Sequence, residues 1–408
     1  MFADDTVIFA ESFEEMNEKL VHVARWMDDN LMEVNPSKCG VLVIGEYSNL
    51  IPVQYKNETI QVVDKYVYLG VEMNNQLDYD QMAKFRVSKG IGVAESIKDT
   101  MGNFKVPLLS KQILLKHLLQ PTLLYGCEIF GMNEKRLDSL SRVMNSSMKN
   151  LVRKHNFCRN RVYNELDIKP LSICAAVSRA RCFTKMKESN GVISELIHST
   201  EEFKSMKKTW CTSTKTWLAK NKIPCNLDTK ETVSKTLAAA TKRQSKKDKS
   251  IIGTTMRRLN IYSGKELRTL EINTVLPTTG MRVLFQLRTG TFRTINEMVI
   301  TGRINPAFRN KCILCNSIVK EDTNHLLLEC DGLREERSMY LSGLLSSINE
   351  MLADQLVLGK LKTKILMGGE VPAFGRKPAE VIPSIAKYLL AMVIKRSALI
   401  ADNLVANM

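Results

Sequence analysis

The chain has 408 residues, enough for two or three domains that each bury a core, and its 44% hydrophobic and 25% charged residues are ordinary for a globular protein. Its net charge of +16 is unusually large. The longest apolar run, Tyr388–Ile394, falls far short of the roughly 18–20 residues that a membrane span requires, so we expect no membrane-spanning segment.

The charge is unevenly distributed along the chain. Residues 1–100 carry 9 basic and 17 acidic residues, near −8, and the remainder is therefore near +24. A basic body behind an acidic first part favours a protein that binds a phosphate backbone with its later domains and cations with its first. The alternative is a well-solvated surface with no polyanionic partner.

The cysteines and the first residues bear on the cellular compartment. Ten cysteines are scattered along the chain, and the N-terminus has neither the basic nor the apolar region of a secretory signal. We therefore expect reduced thiols and a nuclear or cytoplasmic location rather than a disulfide framework.

The first hundred residues are predicted to alternate strand and helix. Thr6–Ala10 is short, apolar and β-branched, which favours a buried strand. A capping box begins at Ser12 and opens a helix whose apolar residues recur every three or four positions. Val41–Ile44 predicts a second strand, and the apolar runs Ile60–Val63 and Tyr66–Val71 predict a hairpin.

From about Gln81 the pattern becomes helical. Met82–Met101, Leu108–Leu119 and residues 134–190 have helical periodicity, and the last of these has basic faces. A polar stretch from about Asn190 ends in the densest basic run of the chain. That run predicts either an exposed linker or helix face, or a nucleic-acid contact. Its candidate contact residues are Lys242, Arg243, Lys246 and Lys247.

Two adjacent carboxylates, Asp4 and Asp5, stand before the first predicted strand. Neighbouring side chains on a regular strand point to opposite faces, so the two carboxylates act together only at a tight turn. A carboxylate cluster of this kind holds the Mg²⁺ ions of two-metal phosphoryl transfer. Alone, the pair is a weak signal because such dipeptides are common at turns.

Two further segments could belong to the same site as this pair of carboxylates. Lys38 lies at the end of a helix-to-strand turn and could donate a proton to a leaving pyrophosphate if the loop folds toward the carboxylates. Otherwise it is a surface lysine. Lys65–Val71 contains Tyr66 and Tyr68 and by itself predicts only a strand with aromatic residues.

In order and spacing, Phe2–Ile8, Asn35–Cys39 and Tyr68–Gly70 resemble three successive palm motifs of the reverse transcriptases of non-LTR (LINE-type) retrotransposons. The resemblance implies a catalytic turn with Asp4 and Asp5 as Mg²⁺ ligands and a lysine loop with Lys38. It also implies a primer-grip-like hairpin that contains Tyr66, Tyr68, Leu69 and Gly70. Leu124–Phe130 is similar to a block in the helical thumb of the same elements.

A fourth pattern is independent of the polymerase motifs. Cys312, Cys315, His325 and Cys330 place four soft ligands within nineteen residues. A Cys₃His set suits tetrahedral Zn²⁺, and with all four positions taken the site would be structural rather than catalytic. The alternative is three reduced cysteines and a chance histidine.

The context of these cysteines resembles the zinc-binding segment that follows the polymerase in many LINE-type proteins. The similarity covers Leu287–Gly290, Gly302–Arg303 and Glu321–His325. Arginines around the predicted knuckle are candidates for phosphate contacts, although some of them could merely solvate the surface. The candidates are Arg288, Arg293 and Arg303, with Arg282 and Arg309 nearby.

The expected organisation is α+β: a truncated polymerase palm remnant, a mostly helical thumb and a small C-terminal zinc-binding domain with helices. The predicted boundaries are 1–80 for the palm, 81–190 for the thumb, 191–278 for a polar and basic connection, 279–335 for the zinc-binding segment and 336–408 for a helical region.

The family's polymerase also needs a third carboxylate and a fingers region, which would precede Met1. We therefore expect a fragment that does not polymerise DNA on its own. The implied partners are an RNA template and a DNA target or primer, with Mg²⁺ and a structural Zn²⁺, and without a membrane or a small-molecule cofactor. Three hypotheses remain open: a polymerase fragment, a non-catalytic zinc- and nucleic-acid-binding remnant, and the translated relic of an inactive transposon.

Overall fold

A computed structural model describes residues 5–45, 51–154, 157–198, 209–251, 278–351, 358–368 and 378–405. These residues are mostly helical, with four short strands, which is compatible with the predicted α+β class. Over the ranges just given, no helix combines the length and apolar character that crossing a bilayer requires.

Helices account for most of the structure. The α-helices are Phe13–Asp29, Tyr79–Ser96, Lys98–Gly102, Leu108–Ile113, Gln120–Leu124, Cys127–Phe130, Glu134–Val152, Arg159–Glu165, Leu171–Glu188, Val192–His198, Trp210–Lys220, Thr229–Ile251, Thr278–Thr289, Ile295–Ile300, Arg334–Met351, Leu358–Leu366 and Pro378–Val405. Leu114–Leu119 and His325–Glu329 are π-helical, and Pro36–Lys38, Pro306–Phe308 and Asp331–Leu333 are 3₁₀ turns. The strands are β1 (Val53–Tyr55), β2 (Glu58–Ile60), β3 (Lys65–Tyr68) and β4 (Val71–Asn74).

The chain divides into two compact units, each assembled from three stretches. The first unit comprises Met1–Ile91, Thr122–Leu140 and Ala175–Thr236. The second comprises Gly92–Pro121, Ser141–Cys174 and Leu237–Met408. The boundaries predicted from the sequence are contiguous, whereas the compact units interleave along the chain.

The first helix begins as its sequence predicts. Ser12 Oγ accepts a hydrogen bond from the Glu15 backbone N–H at 3.1 Å, and Glu15 Oε2 accepts from the Glu11 N–H at 2.6 Å. These bonds satisfy backbone donors that the helix itself leaves unpaired. Phe13 and Leu20 are buried on the inner face, in a core with Val53, Tyr55 and Ile60.

The predicted hairpin is wrong in its boundaries, because two hairpins form. β1 pairs with β2 and β3 pairs with β4, each antiparallel. The apolar run Tyr66–Val71 contains a turn at Leu69 and Gly70, both with positive φ (45° and 73°). Two such residues between paired strands form the tight turn whose twist suits a hairpin, which glycine adopts easily and leucine does not.

The strands predicted at Thr6–Ala10 and Val41–Ile44 are also wrong. Within the described ranges, their backbones form no ladder beyond a single parallel bridge between Val41 and Val62. Ile8, Val41 and Val43 nevertheless pack against the core of the first unit. Val7 and Phe9 are exposed, at 39% and 82%, so the apolar pattern of Thr6–Ala10 was wrong about burial as well as about strand pairing.

The second unit buries the C-terminal helix as its periodicity predicts. Ile382, Ile385, Leu389 and Met392 have no exposed surface.

The polar stretch after Asn190, predicted as a polar and basic connection, is helical where the structure describes it. Val192–His198 and Trp210–Lys220 lie within the first unit, and Thr229–Ile251 begins within it.

Candidate metal centre and nucleic-acid-binding residues

Cys312, Cys315, His325 and Cys330 come together in the second unit. Their ligand atoms all lie within 4.8 Å of one another. Cys312 and Cys330 are fully buried, and His325 is only 5% exposed. Four ligands at one point, three of them buried and Cys315 half-buried, form a group that could hold a metal ion such as zinc.

Two distances match the shape of a tetrahedral zinc site. Zn–S bonds of about 2.3 Å and Zn–N bonds of about 2.0–2.1 Å place two sulfurs about 3.8 Å apart and a sulfur and a nitrogen about 3.6 Å apart. Cys312 Sγ lies 3.7 Å from Cys330 Sγ, and Cys315 Sγ lies 3.6 Å from His325 Nε2. Two of the six distances between ligand atoms therefore suit a tetrahedral ion, and all six are within 4.8 Å.

The two buried thiols share a hydrogen bond, and their proton affinities diverge. The contact with Cys330 lowers the pKa of Cys312 well below the usual range of a thiol, and the same contact raises the pKa of Cys330. One thiolate and one thiol facing each other at 3.7 Å divide a single proton between them. A metal ion would replace that proton, because ligating cysteines bind as thiolates.

A tight knuckle positions the first two cysteines. The Cys312 N–H donates to Ser317 O at 3.0 Å, and the Asn316 N–H donates to Cys312 O at 2.8 Å. Gly332 packs against this knuckle so closely that an added Cβ would lie 2.0 Å from Leu314 O. Only glycine fits there without moving the backbone that carries Cys315.

A π-helical turn positions the other two ligands. The Cys330 N–H donates to His325 O at 2.8 Å, and the His325 N–H donates to Asp322 Oδ1 at 2.9 Å. The ring presents Nε2 to Cys315, while its Nδ1 lies 3.9 Å from Glu329 Oε2. A carboxylate on that side suits a metal-binding histidine, whose second nitrogen usually faces such a partner.

A buried ion pair that the sequence did not reveal connects this segment to the C-terminal helix. Arg396 Nε donates to Glu321 Oε1 at 2.8 Å, and its Nη2 donates to Glu321 Oε2 at 2.9 Å. Glu321 also accepts from the Ile295 N–H at 2.6 Å, and Arg396 donates to Arg293 O at 2.8 Å. Glu321 therefore fixes the chain four residues before the ligand His325.

In the first unit, three motifs that are distant in sequence meet. The Tyr66 hydroxyl donates to Lys38 O at 2.9 Å, which joins the lysine loop to β3. The Tyr125 hydroxyl donates to Leu69 O at 2.7 Å, and the Arg86 guanidinium lies 4.8 Å from the Tyr125 ring centroid. The hairpin β3–β4 therefore contacts both the lysine loop and the Leu124–Phe130 block.

Replacing Tyr125 with phenylalanine tests the second of these contacts. We expect the variant to lose about 1 kcal/mol of stability, because the Leu69 carbonyl loses its donor while the ring packing remains. Urea denaturation followed by circular dichroism measures the change. Tyr79→Phe is the matched control, since the Tyr79 ring packs on Arg136 and no hydrogen bond of its hydroxyl is found among the described residues. Equal stabilities of the two variants would contradict the expectation.

The catalytic residues implied by the resemblance are placed only in part. Asp4 lies outside the described residues, so the geometry of the Asp4–Asp5 pair stays a prediction. Asp5 and Lys38 are both exposed. Tyr68 is half-buried in β3, which is the strand that also carries Tyr66.

Most of the predicted phosphate-binding residues whose side chains are described are exposed or half-buried, and one is fully buried. Lys242, Arg243 and Arg303 are exposed, and Arg293 is half-buried and donates to Arg153 O. Lys246 and Lys247 continue the helix Thr229–Ile251, but their side chains lie outside the described part of the chain.

Arg288 is the correction: it is fully buried and unavailable to a phosphate. Its Nε donates to Glu165 Oε2 at 2.9 Å and its Nη1 donates to Met367 O at 2.5 Å. The neighbouring Arg282 is also buried, at 7% exposure. A basic residue near the knuckle therefore does not by itself identify a binding surface, because it can instead form an ion pair with a buried carboxylate.

Comparisons with protein-family models, with curated proteins and with solved structures find no match. The resemblance to reverse transcriptases therefore depends on the motif residues themselves.

Proposed function

We propose that this chain is part of an RNA-directed DNA polymerase of the non-LTR retrotransposon type, and that its own residues bind nucleic acid around a structural zinc ion. In this proposal Asp4 and Asp5 hold Mg²⁺, Lys38 is the proton donor, and Cys312, Cys315, His325 and Cys330 hold Zn²⁺. RNA template and DNA primer or target are the partners.

The observation that carries the proposal is the meeting of Lys38, Tyr66, Leu69 and Tyr125 in the first unit. These residues were assigned to three different polymerase motifs from sequence order alone. Two hydrogen bonds, at 2.9 and 2.7 Å, bring the three motifs into one compact unit, as a shared site would require. The contacts support a common functional origin for the motifs.

The Cys₃His group and the charge support the nucleic-acid part of the proposal. A metal ion bound by four side chains orders the short segment that carries them. Arg303 and Arg309 are exposed beside the knuckle, and Lys242 and Arg243 are exposed on a separate helix. Contacts of such residues with phosphates release counterions, so binding would depend steeply on salt.

The test is binding of a fluorescent single-stranded RNA to the full chain, measured by anisotropy between about 50 and 300 mM salt. We expect the affinity to fall steeply with salt and to weaken when a chelator removes zinc. Replacing Lys242 and Arg243 together with alanine should lower the salt dependence. Replacing Lys19 and Lys56, exposed lysines paired with Glu15 and Asp28, should not. Binding that ignores salt would contradict the proposal.

A non-catalytic binding protein is the second candidate, and the same Cys₃His group favours it, because the group requires no chemistry. Primer extension with Mg²⁺ and deoxynucleotides tests whether the chain itself catalyses. Extension that disappears when Asp4 and Asp5 are both changed to alanine supports the polymerase. Because a polymerase fragment is expected not to extend a primer on its own, salt-dependent RNA binding without extension agrees with both candidates, and an upstream open reading frame that encodes the third carboxylate and the fingers then favours the polymerase fragment.

A further inference from the structure

A basic cavity lies in the second unit, away from the Cys₃His group. Its volume is about 440 Å³, and its charged lining residues are Lys98, Asp99, Lys149, Arg153 and Lys154. Four cations therefore face one carboxylate around a space larger than a water molecule or a simple ion.

Only part of this positive charge is neutralised by the chain itself. Lys98 Nζ lies 2.9 Å from Glu95 Oε2, and Lys154 Nζ lies 2.8 Å from Glu297 Oε1. Among the described residues, no carboxylate pairs with Lys149 or Arg153. Lys149 is exposed at the cavity, and Arg153 Nη2 donates to the carbonyl oxygen of Gly102 at 2.8 Å.

Two buried cations reinforce Arg153 from behind the cavity wall. The guanidinium carbon of Arg153 lies 3.9 Å from the Phe104 ring centroid, and that of Arg282 lies 3.4 Å from the same centroid. Two groups so near one centroid cannot share a ring face without overlapping, so the ring lies between them. Lys111, 2% exposed, donates to Asn103 O at 2.5 Å, and Asn103 lines the cavity.

The buried cations repel one another without a counter-charge. Burial, with the charges of Arg282 and Arg153, lowers the pKa of Lys111 to about 8. Burial, with the charge of Arg153, lowers the pKa of Arg282 to about 10. Arg282 Nε and Nη1 are buried and have no acceptor within the described part of the chain. Buried charge that the fold does not pair is costly, and an anion nearby would offset the cost.

We propose that this cavity is a binding site for a phosphate group, with Lys149 and Arg153 in contact with the anion. Lys111 and Arg282 act through their charge behind Arg153, and Arg282 also packs on the Phe104 ring that Arg153 contacts. A phosphate is the matching ligand because it carries up to two negative charges and offers several acceptors to a guanidinium fork and an ammonium. The site does not depend on polymerase activity, although a polynucleotide backbone is one source of the phosphate.

Calorimetric titration of the full chain tests the site with inorganic phosphate, pyrophosphate and a short single-stranded RNA in chloride buffer of constant ionic strength. The test variant is Lys149→Glu, because this side chain is exposed and its replacement leaves the packing around Phe104 intact. The matched control is Arg142→Glu, which is exposed on the same helix, Glu134–Val152, and does not line the cavity. A second variant, Arg153→Gln, removes the guanidinium charge and keeps a hydrogen-bond donor on a shorter side chain.

We expect Lys149→Glu to weaken binding of at least one of these ligands by tenfold or more and Arg142→Glu to change it less than threefold. A selective loss of pyrophosphate or phosphate binding identifies a free anion as the ligand, and a loss confined to RNA identifies the backbone. Equal effects of the two variants, or no binding of any of the three ligands, overturn the proposal. Phosphate binding without RNA binding would refute the nucleic-acid-binding part of the proposed function and leave this site standing.

Discussion

Serine in place of Cys330 is expected to abolish zinc binding and to melt the segment around residues 312–330. Cys330 is fully buried and lies 3.7 Å from Cys312, so the hydroxyl would replace one corner of the ligand tetrahedron with a poor ligand. Apparent free energies of structural zinc binding are about 10–16 kcal/mol in small domains. This is as large as the whole free energy of unfolding of a typical domain, so we expect the segment to unfold when zinc binding is lost. We expect one zinc ion per wild-type chain and less than about one tenth in the variant.

Elemental analysis after dialysis, with thermal melting by circular dichroism, measures both effects. Cys225→Ser is the matched control, because Cys225 is half-buried and does not belong to the ligand group. Acidification should release the metal from the wild type, since the histidine and the thiols bind only without their protons. Full zinc content in Cys330→Ser, or no zinc in the wild type, would contradict the proposal that these four side chains hold a zinc ion.

The sequence predicted the metal group because all of its ligands are local. Cys312 and Cys330 are separated by eighteen positions, and ligand spacing in so short a segment limits the geometry that the chain can adopt. The helix after Ser12 and the buried face of Pro378–Val405 were predictable for the same reason, since capping and periodicity act within a few turns.

The sequence could not predict which charges are buried. By its residue type and its place near the cysteines, Arg288 looks like a phosphate-binding residue. Glu165, 123 positions earlier, nevertheless neutralises its charge inside the second unit. Arg179 in the first unit is a similar case: it is 2% exposed and donates to Gly131 O at 2.5 Å and to Thr214 Oγ1 at 2.9 Å. Partners this far apart in sequence leave no local pattern, so an arginine destined for the core resembles one on the surface.

The turn at Leu69 and the close contact at Gly332 could not be predicted from the sequence for a related reason. Leu69 interrupts an apolar run at positive φ, which its residue type does not suggest. In the sequence Gly332 looks like an ordinary loop glycine. The structure shows why a glycine is required, because a Cβ at this position would lie 2.0 Å from Leu314 O. The backbone requirement in both cases comes from neighbours that the fold supplies.

Removing Arg396 is the second change with a large expected effect. Its ion pair with Glu321 has side-chain exposures of 10% and 1%, and Arg396→Met would leave the Glu321 carboxylate buried without its counter-charge. Breaking a buried pair in this way costs about 3–5 kcal/mol. Because Glu321 lies four residues before His325 and accepts from the Ile295 N–H, the same variant should also weaken zinc binding.

Urea denaturation of the zinc-loaded chain, followed at 222 nm, gives the stability, and competition with a zinc indicator gives the affinity. Arg334→Ala is the matched control, because its pair with Asp331 is 77% and 72% exposed and should contribute less than about 1 kcal/mol. The double variant Glu321→Leu, Arg396→Met should cost less than the sum of Glu321→Leu and Arg396→Met, since it leaves no buried charge unpaired. If Arg396→Met were no more destabilising than Arg334→Ala, this ion pair would not hold the zinc-binding segment to the C-terminal helix, and the metal alone would have to order the chain around His325.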